Sequence, residues 1–312
     1  MKVFVAGASG VIGRRLVPML VEAGHEVTGM TRHRDRADAI RERGAAGVVC
    51  DAFDAPALTE AVVAARPEVV VHELTDIPKA IDFRRYAEVM AGNDRVRTEG
   101  TRNLVAAAGK AGARRIVAQS IAFGYEPVGG PVKDEDDPLY LEAPDPLAPS
   151  MRALADLERQ VLQAGGLQGV VLRYGLFYGP GTSYAADGDA AARVRRHRFP
   201  VVGSGSAVYS FVHVDDAASA TVAAAERGAP GVYNVVDDEP AEISEWLPRY
   251  AEALGAKAPG SVPLWLARIA GGGRMVLLME HLRGASNAKA RAELGWEPRY
   301  RSWRDGFREA PG

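Results

Sequence analysis

Three glycines near the amino terminus are spaced to bind a phosphate group. Gly7, Gly10 and Gly13 lie directly after a short apolar run and before a segment whose apolar residues recur at helical spacing. In such a pattern the glycines allow a tight turn, a close approach to a pyrophosphate and close packing of helix on strand. The helix start adds free N–H groups and a positive dipole end. The predicted dinucleotide contacts are Gly7, Ser9, Gly10, Val11, Ile12 and Gly13.

Two arginines after the second apolar run indicate which dinucleotide is bound. An NAD site usually has an acidic residue about 20 residues after the glycines, where it holds the ribose hydroxyls. No carboxylate occurs between Glu26 and Asp35, and this segment instead contains Arg32 and Arg34. Arginine can bind a 2′-phosphate through charge-assisted hydrogen bonds. We therefore expect NADP rather than NAD, the alternative being that these arginines are the solvated start of the next helix.

Apolar runs and helical segments alternate through the first half of the chain. Beyond the first two strands, we predict strands at Gly47–Cys50, Val69–His72, Arg115–Gln119 and Val170–Arg173, and helices near Arg36–Arg43, Ala57–Ala65, Asn93–Ala111 and Met151–Ala164. Valine and isoleucine runs without polar alternation are typical of parallel strands covered on both faces. The alternation predicts an α/β fold with a doubly wound parallel sheet.

Two stretches interrupt this alternation. Six prolines and several acids lie between Tyr125 and Pro149, which predicts a long loop of the functional or mobile kind. The segment from Gly175 to Ser206 is rich in glycine and aromatic residues, and helices dominate from Ile243 onward. We expect a dinucleotide-binding core at residues 1–174, with contributions from about 211–236. Residues 175–312 should form mainly a smaller, interleaved substrate lobe.

Several motifs occur in an order that identifies a family resemblance. They are Gly7–Gly13, Gly100–Leu104, Arg173–Gly175, Tyr178–Gly181, Phe211–Asp216 and Leu294–Pro298. Together they resemble the extended short-chain dehydrogenase/reductase superfamily, in its NAD-dependent epimerase/dehydratase group. The resemblance implies a Rossmann core with a carboxyl-terminal substrate lobe. It also implies that Asp51 meets the adenine and that Leu74 and Thr75 run beneath the cofactor.

The catalytic residues of that family are mostly replaced. The family uses a tyrosine and, four residues later, a lysine that lowers the tyrosine pKa, together with a serine and often an asparagine. When Glu158 is matched to the family's glutamate, Ser150 takes the tyrosine position and Leu154 the lysine position. Arg97 takes the asparagine position, and only Ser120 keeps the family's residue type. Ordinary alcohol–carbonyl chemistry is therefore not expected from this helix.

Other residues near the predicted crevice could replace them. Loops at the carboxyl ends of parallel strands line the ligand crevice of such sheets. The predicted catalytic residues are Ser120, Tyr125, Tyr140 and Arg97, because a tyrosine beside Arg97 would have its phenolate stabilised by that charge. Taken singly, each tyrosine is also explained as pocket wall. The predicted substrate contacts are Phe123, Phe177, Tyr178, Tyr184 and Tyr209, which would line a largely apolar pocket.

Composition restricts the classes of partner. The 312-residue chain has 47% hydrophobic and 25% charged residues and a net charge of −2, as expected of a globular protein without nucleic-acid or acidic-membrane partners. A single cysteine and the lack of a long apolar run favour the reducing cytoplasm. We expect a small-molecule substrate and no metal site, and the sequence leaves open a homodimer.

Three functions remain open at this point. The first is an NADP(H)-dependent oxidoreductase acting on a small, largely apolar metabolite. The second is a non-redox isomerase, dehydratase or cyclase on the same fold, which the missing tyrosine and lysine would suit. The third is a dinucleotide-sensing regulatory or binding protein. Fold alone does not choose among them.

Overall fold

A parallel sheet forms the centre of the protein. The computed structural model describes residues 1–78, 85–267, 269 and 280–309. In these residues the central sheet has seven strands: β1 (Lys2–Ala6), β2 (Glu26–Thr31), β3 (Ala46–Val49), β4 (Val69–His72), β5 (Arg115–Ile121), β7 (Gln168–Tyr174) and β12 (Gly231–Val235). Their order is β12-β7-β5-β4-β1-β2-β3, and every pairing is parallel. The predicted α/β doubly wound fold is confirmed.

Alternate residues of the central strands enter two different cores. In β1, Val3 and Val5 pack into one apolar cluster, while Phe4 and Ala6 pack into another on the opposite face. Helices cover both faces, so strand residues are buried whichever way they point. The chain order of the strands reverses between β1 and β4, which places the ligand crevice outside the carboxyl ends of these two strands.

The helices that cover the sheet follow its strands closely in sequence. They are α1 (Gly13–Glu22), α2 (Arg34–Arg41), α3 (Ala55–Ala65), α4 (Tyr86–Arg95), α5 (Thr101–Lys110), α6 (Ala148–Leu162) and α8 (Val214–Glu226). Their buried residues recur at helical spacing, as Leu16, Val17 and Leu20 do in α1. None of the described helices is long and apolar enough to cross a bilayer.

A π-helical turn, Val96–Gly100, joins α4 to α5. The sequence predicted one helix near Asn93–Ala111, but the hydrogen-bonding pattern widens here for a single turn. Such turns carry one residue more than an α-helix of the same rise and are frequent at functional sites. Arg97 lies in this turn and is buried, with 9% of its surface exposed. The π turn therefore positions the buried arginine.

Short elements build the remainder of the described chain. They are β6 (Val132–Lys133), β8 (Leu176–Tyr178), β9 (Val201–Val202), β10 (Val208–Tyr209), β11 (Phe211–His213), β13 (Ala241–Glu242), β14 (Ser261–Val262), β15 (Gly284–Ala285), α7 (Asp189–Arg195), α9 (Ile243–Ala253), α10 (Ala288–Leu294) and α11 (Trp303–Glu309). An aromatic cluster around Phe211, Trp246 and Trp303 holds many of them together. Most of the predicted loop from Tyr125 to Pro149 is irregular, although it contributes β6 and the first residues of α6.

Candidate active site

The glycine loop forms a cradle that larger residues would fill. Gly7 has a φ of +95°, and a Cβ there would lie 2.5 Å from the carbonyl oxygen of Glu73. A Cβ on Gly13 would lie 2.3 Å from the carbonyl oxygen of Gly7, so helix and strand meet backbone to backbone. The N–H of Gly10 donates to the carbonyl of Gly7 at 2.9 Å and closes the turn. This geometry fits a pyrophosphate lying against the loop.

Helix α1 presents an uncapped amino terminus at this cradle. Ile12 occupies the N-cap position without a side-chain capping hydrogen bond, and the first turn contains no acidic residue. Free N–H groups and the helix dipole therefore remain available to an anion. Val11 lies half-buried beside Ile12. The Ser9 hydroxyl lies 3.0 Å from the Thr31 hydroxyl and ties the loop to the end of β2.

The other predicted cofactor residues follow the carboxyl ends of the neighbouring strands. Arg32 follows β2, is exposed, and has its Nη2 3.2 Å from Oδ1 of Asp76. Arg34 is the exposed first residue of α2. Asp51 follows β3 and accepts a hydrogen bond from its own loop, and Thr75 is exposed after β4. The carbonyl of Leu74 accepts from Gln119 at 2.9 Å and links the ends of β4 and β5.

A buried carboxyl that the sequence did not single out lies directly behind the cradle. Glu73 is 7% exposed, and the hydroxyl of Tyr174 donates to its Oε1 at 3.0 Å. Tyr174 in turn lies 2.6 Å from the hydroxyl of Thr221. Burial raises the pKa of Glu73 from 4.5 to about 8, a change that the hydrogen bond from Tyr174 opposes. Glu73 is therefore largely protonated at neutral pH.

A group of polar residues surrounds Ser150, which takes the helix position of the family's catalytic tyrosine. Ser150, in the first turn of α6, donates from Oγ to Oδ2 of Asp94 at 2.7 Å. Nη1 of Arg97 donates to the carbonyl of Ser150 at 3.4 Å and lies 3.8 Å from Oδ1 of Asp94. Tyr86 hydrogen-bonds to the Ser150 side chain. We call Tyr86, Asp94, Arg97 and Ser150 the Arg97 cluster, while Leu154 at the lysine position is fully buried.

Ser120 belongs to a second buried network. Its Oγ donates to Oε1 of Glu158 at 2.6 Å, and Arg173 donates to both oxygens of the same carboxylate at 2.9 and 2.7 Å. Arg173 also donates to the hydroxyl of Tyr125, which donates to Oδ1 of Asn234. These five residues, called here the Arg173 network, are all at most 5% exposed.

The tyrosines that lie near the two buried arginines are not those that the sequence predicted. The arginine beside Tyr125 is Arg173 and not Arg97, and the tyrosine that meets the Arg97 cluster is Tyr86. Burial raises the pKa of Tyr125 to about 12, with Arg173 opposing the change. Because Tyr125 already donates its proton to Asn234, its geometry indicates a structural role. Tyr140 is half-buried and its N–H donates to the carbonyl of Gly124.

The predicted substrate-binding aromatics lie in several parts of the fold. Tyr178 was expected in a loop but lies in β8, is fully buried, and packs edge-on against Phe211 and His213. Tyr184 and Tyr209 pack against Trp246 with ring centroids 5.8 and 5.3 Å apart, so both belong to the aromatic cluster. Tyr178 and Tyr209 are core residues and Tyr184 packs against them, and the contact of these three tyrosines with substrate stays a prediction. The ring centroids of Phe177 and Tyr174 are 5.4 Å apart. Phe123 is half-buried just after β5.

Sequence reasoning also missed Tyr86 and Asp94. Asp94 and Arg97 are three residues apart, a spacing that brings two side chains together on a helix face. That spacing was available in the sequence. The approach of Tyr86 and of Ser150 was not, because it depends on how α4 packs against α6.

Comparisons with known proteins agree with the fold and with a nicotinamide dinucleotide cofactor. Residues 3–235 match the NAD dependent epimerase/dehydratase family. The chain is 51% identical over 309 residues to a 3-diazoavenalumate denitrifying reductase of Streptomyces sp, covering 98% of this chain and 99% of the relative. It is 30% identical to a 2-alkyl-3-oxoalkanoate reductase of Stenotrophomonas maltophilia, covering 82% and 76% of the two chains.

Solved structures extend the similarity over almost the whole chain. The UDP-glucose 4-epimerase of Thermus thermophilus in complex with NAD is 26% identical, with a TM-score of 0.74 over 99% of this chain and 97% of that one. A human epimerase family protein with NADPH is 21% identical, with a TM-score of 0.73 over 99% of both chains, which supports the fold alone. The chain thus belongs to the NAD dependent epimerase/dehydratase family, in the extended short-chain dehydrogenase/reductase group, and is an oxidoreductase with a nicotinamide dinucleotide cofactor.

Proposed function

We propose that this protein is an NADPH-dependent reductase that removes the diazo group of an organic diazo carboxylate. The observation that carries this proposal is the absence of a proton donor from α6. Ser150 and Leu154 stand where the resemblance requires tyrosine and lysine. The two serines nearest this position, Ser150 and Ser120, donate their protons inward to buried carboxylates. Neither is placed to protonate a substrate.

Reductive loss of a diazo group suits a site of this kind. When bound, NADPH supplies a hydride, and replacement of a diazonium group by hydride releases N₂ without consuming a proton. Reduction of a carbonyl to an alcohol requires a proton as well as a hydride, and a positioned acid typically contributes about 10²–10⁴-fold to such a step. The residues of this chain therefore need only bind the substrate, orient it and exclude water.

One relative supports the diazo substrate class, and another supports a competing class. The relative at 51% identity is named as a denitrifying reductase of a diazo carboxylate, and it matches this chain over nearly its full length. A relative at 30% identity is named as a reductase of 3-oxoalkanoates, which makes carbonyl reduction the competing redox function. The non-redox isomerase and the dinucleotide-sensing protein remain as further alternatives that one assay can separate.

The assay supplies the holoenzyme with NADPH and 3-diazo-4-hydroxycinnamate, with a 3-oxoalkanoate in parallel. We expect NADPH oxidation, N₂ release and a product that has lost both nitrogen atoms only with the diazo compound. NADPH deuterated at its transferable position should place deuterium on the product, which separates enzymatic reduction from spontaneous decay in enzyme-free controls. Turnover of the 3-oxoalkanoate alone would favour carbonyl reduction. Product without NADPH oxidation would favour the non-redox function.

Cofactor preference gives a separate prediction. We expect NADPH to bind more tightly than NADH, because Arg32 follows β2 where an NAD site has an acid. Arg32→Ala should weaken NADPH by about tenfold or more and leave NADH nearly unchanged, since a charged hydrogen bond is worth roughly 1.5–3 kcal/mol. Fluorescence titration measures both affinities, and the exposed Arg102→Ala on α5 is the matched control. Equal wild-type affinities for the two cofactors would contradict the preference.

A further inference from the structure

Among the described residues, three arginines that are less than one tenth exposed differ in how fully they are hydrogen-bonded. Arg115 and Arg173 are each 5% exposed, and Arg97 is 9% exposed. All three guanidinium nitrogens of Arg173 donate, to Glu158 and to Tyr125. All three nitrogens of Arg115 donate as well, to Gln168 and to carbonyls at the end of α8 and in the segment after it. In these two arginines every guanidinium nitrogen therefore has at least one acceptor within the protein.

In Arg97 only one guanidinium nitrogen has an acceptor among the described residues. Its one hydrogen bond to a described residue is the 3.4 Å contact from Nη1 to the carbonyl of Ser150. The same nitrogen is the one that lies 3.8 Å from Oδ1 of Asp94. That oxygen has no hydrogen-bond partner among the described residues, so the two charges attract without being bonded. Nε and Nη2 of Arg97 have no partner in the described part of the chain, although this edge can bind a carboxylate in a bidentate manner.

The π turn that carries Arg97 is connected to the crevice through α6 and β5. The π turn packs against α6 beside Ser150, and α6 packs on β5, whose carboxyl end carries Ser120. The carboxyl ends of β4 and β5 are linked by the bond from Gln119 to Leu74, beside the crevice at the strand reversal. Asp94 lies near Nη1 of Arg97, so its charge orients the guanidinium and leaves the Nε–Nη2 edge unused.

From this arrangement we infer that the Nε–Nη2 edge of Arg97 binds the carboxylate of the organic substrate. The inference rests on the proposed function for the substrate class, and both named reductases described above act on compounds whose names denote carboxylates. The guanidinium is largely buried, and a bound carboxylate supplies two acceptors in matching geometry to an edge that has none among the described residues. Asp94 acts on substrate only through Arg97 and is a positioning residue, whereas Ser150 contacts Arg97 through its backbone carbonyl, which any residue would supply.

The test compares an acid with its neutral analogue on the enzyme loaded with NADP⁺. Calorimetry measures the affinities of 4-hydroxycinnamate and of 4-hydroxycinnamamide, which differ only in the carboxylate. The wild type should prefer the acid by about tenfold or more, as expected for a buried charged pair. Arg97→Met should remove this preference, weaken the acid by a similar factor and leave the amide within about threefold. Arg102→Met, on exposed α5 surface, should keep the preference.

Arg97→Lys gives a second readout if the methionine variant does not fold. Lysine keeps the charge but loses the bidentate edge, so the preference for the acid should shrink without vanishing. In turnover, both variants should raise KM more than they lower kcat. Equal binding of acid and amide by the wild type, including binding of neither, would overturn the inference. The two proposals can fail separately. If the acid preference depends on Arg97 but the enzyme does not reduce the diazo compound, the carboxylate-binding role of Arg97 stands and the proposed reaction is wrong.

Discussion

The Arg173 network and the Arg97 cluster are two largely buried ionic groups that both include a residue of α6, Glu158 and Ser150 respectively, and their hydrogen bonds are satisfied to different extents. In the network, Arg173 and Glu158 meet in a bidentate pair, and Ser120 and Tyr125 use the remaining positions. In the cluster, the arginine and its nearest carboxylate are 3.8 Å apart, and the carboxylate oxygen that faces the arginine has no hydrogen-bond partner among the described residues. The protein supplies hydrogen-bond partners to the ionic pair of the Arg173 network, whereas the ionic pair of the Arg97 cluster lacks some of its partners among the described residues.

The difference separates a structural role from a ligand-binding role. A buried ion pair stabilises a fold only when the hydrogen bonds of both partners are satisfied, which describes Arg173 and Glu158. A buried charge that the fold leaves short of acceptors is better explained by a ligand that completes it. Residue type alone would have assigned both arginines the same role.

The largest expected effect is the loss of Arg173. Arg173→Met leaves Glu158 charged and buried, so the free energy of unfolding should fall by about 3–5 kcal/mol. Urea denaturation followed by circular dichroism measures the change. Arg97→Met should cost less because Asp94 loses only a 3.8 Å contact. If Arg97→Met proved the more destabilising of the two, the distinction between a fully and a partly hydrogen-bonded ion pair would be wrong.

A double variant serves as the control for this prediction. Arg173→Met combined with Glu158→Leu removes both charges, so part of the lost stability should return relative to Arg173→Met alone. Strict additivity of the two single changes would mean that the buried charge of Glu158 is not the source of the cost.

An effect of at most about 1.4 kcal/mol for each pH unit is expected from Glu73, another buried ionisable group, which has a partly satisfied carboxyl. Its pKa is about 8 in the folded chain, above the ordinary 4.5, because burial disfavours the charged form. The folded state therefore holds a proton that the unfolded state releases. Stability is fully present below pH 4.5 and falls by up to about 1.4 kcal/mol per pH unit until the pH passes about 8.

Glu73→Gln isolates this contribution, since glutamine keeps the size and loses the titration. The free energy of unfolding, measured by denaturation between pH 5 and pH 9, should fall less with pH in the variant than in the wild type. The same pH dependence in both proteins would mean that Glu73 is charged in the folded protein.

The smallest effect is expected from Ser150, which stands where the family has its catalytic tyrosine. Its Oγ already donates to Asp94, so Ser150→Ala should retain turnover within a few-fold. Loss of a positioned acid costs on the order of 10²-fold or more. Steady-state kinetics on the folded variant decide between these outcomes, and a collapse of kcat would return the helix position to the chemistry.

The regular part of the fold was predictable because its signals are local. Val69–His72 was predicted with the bounds that the structure has, since an uninterrupted apolar run marks a strand buried on both faces. The glycine loop was equally readable, because turn and close approach depend on residues that are adjacent in sequence. The π turn was not, because the sequence around Arg97 is compatible with a continuous α-helix.

The candidate site was less predictable because its contacts are distant in sequence. Tyr125 was expected beside Arg97 but lies beside Arg173, 48 residues away along the chain. Tyr178 was predicted to contact substrate, and strand pairing of Phe211–His213 with Leu176–Tyr178 buries it. Burial by pairing partners of this kind depends on the assembled fold and has no signature at the residue itself.

The π turn makes the anion anchor depend on chain length as well as on residue identity. Each residue of an α-helix advances the direction of the side chain by about 100°. Deletion of one residue within Val96–Gly100 would restore α-helical winding and rotate α4 against α5 by roughly that angle. The buried face of α5 and the inward side chain of Arg97 then could not both keep their orientation. A relative one residue shorter here would have a different anchor, or none, even with an arginine aligned.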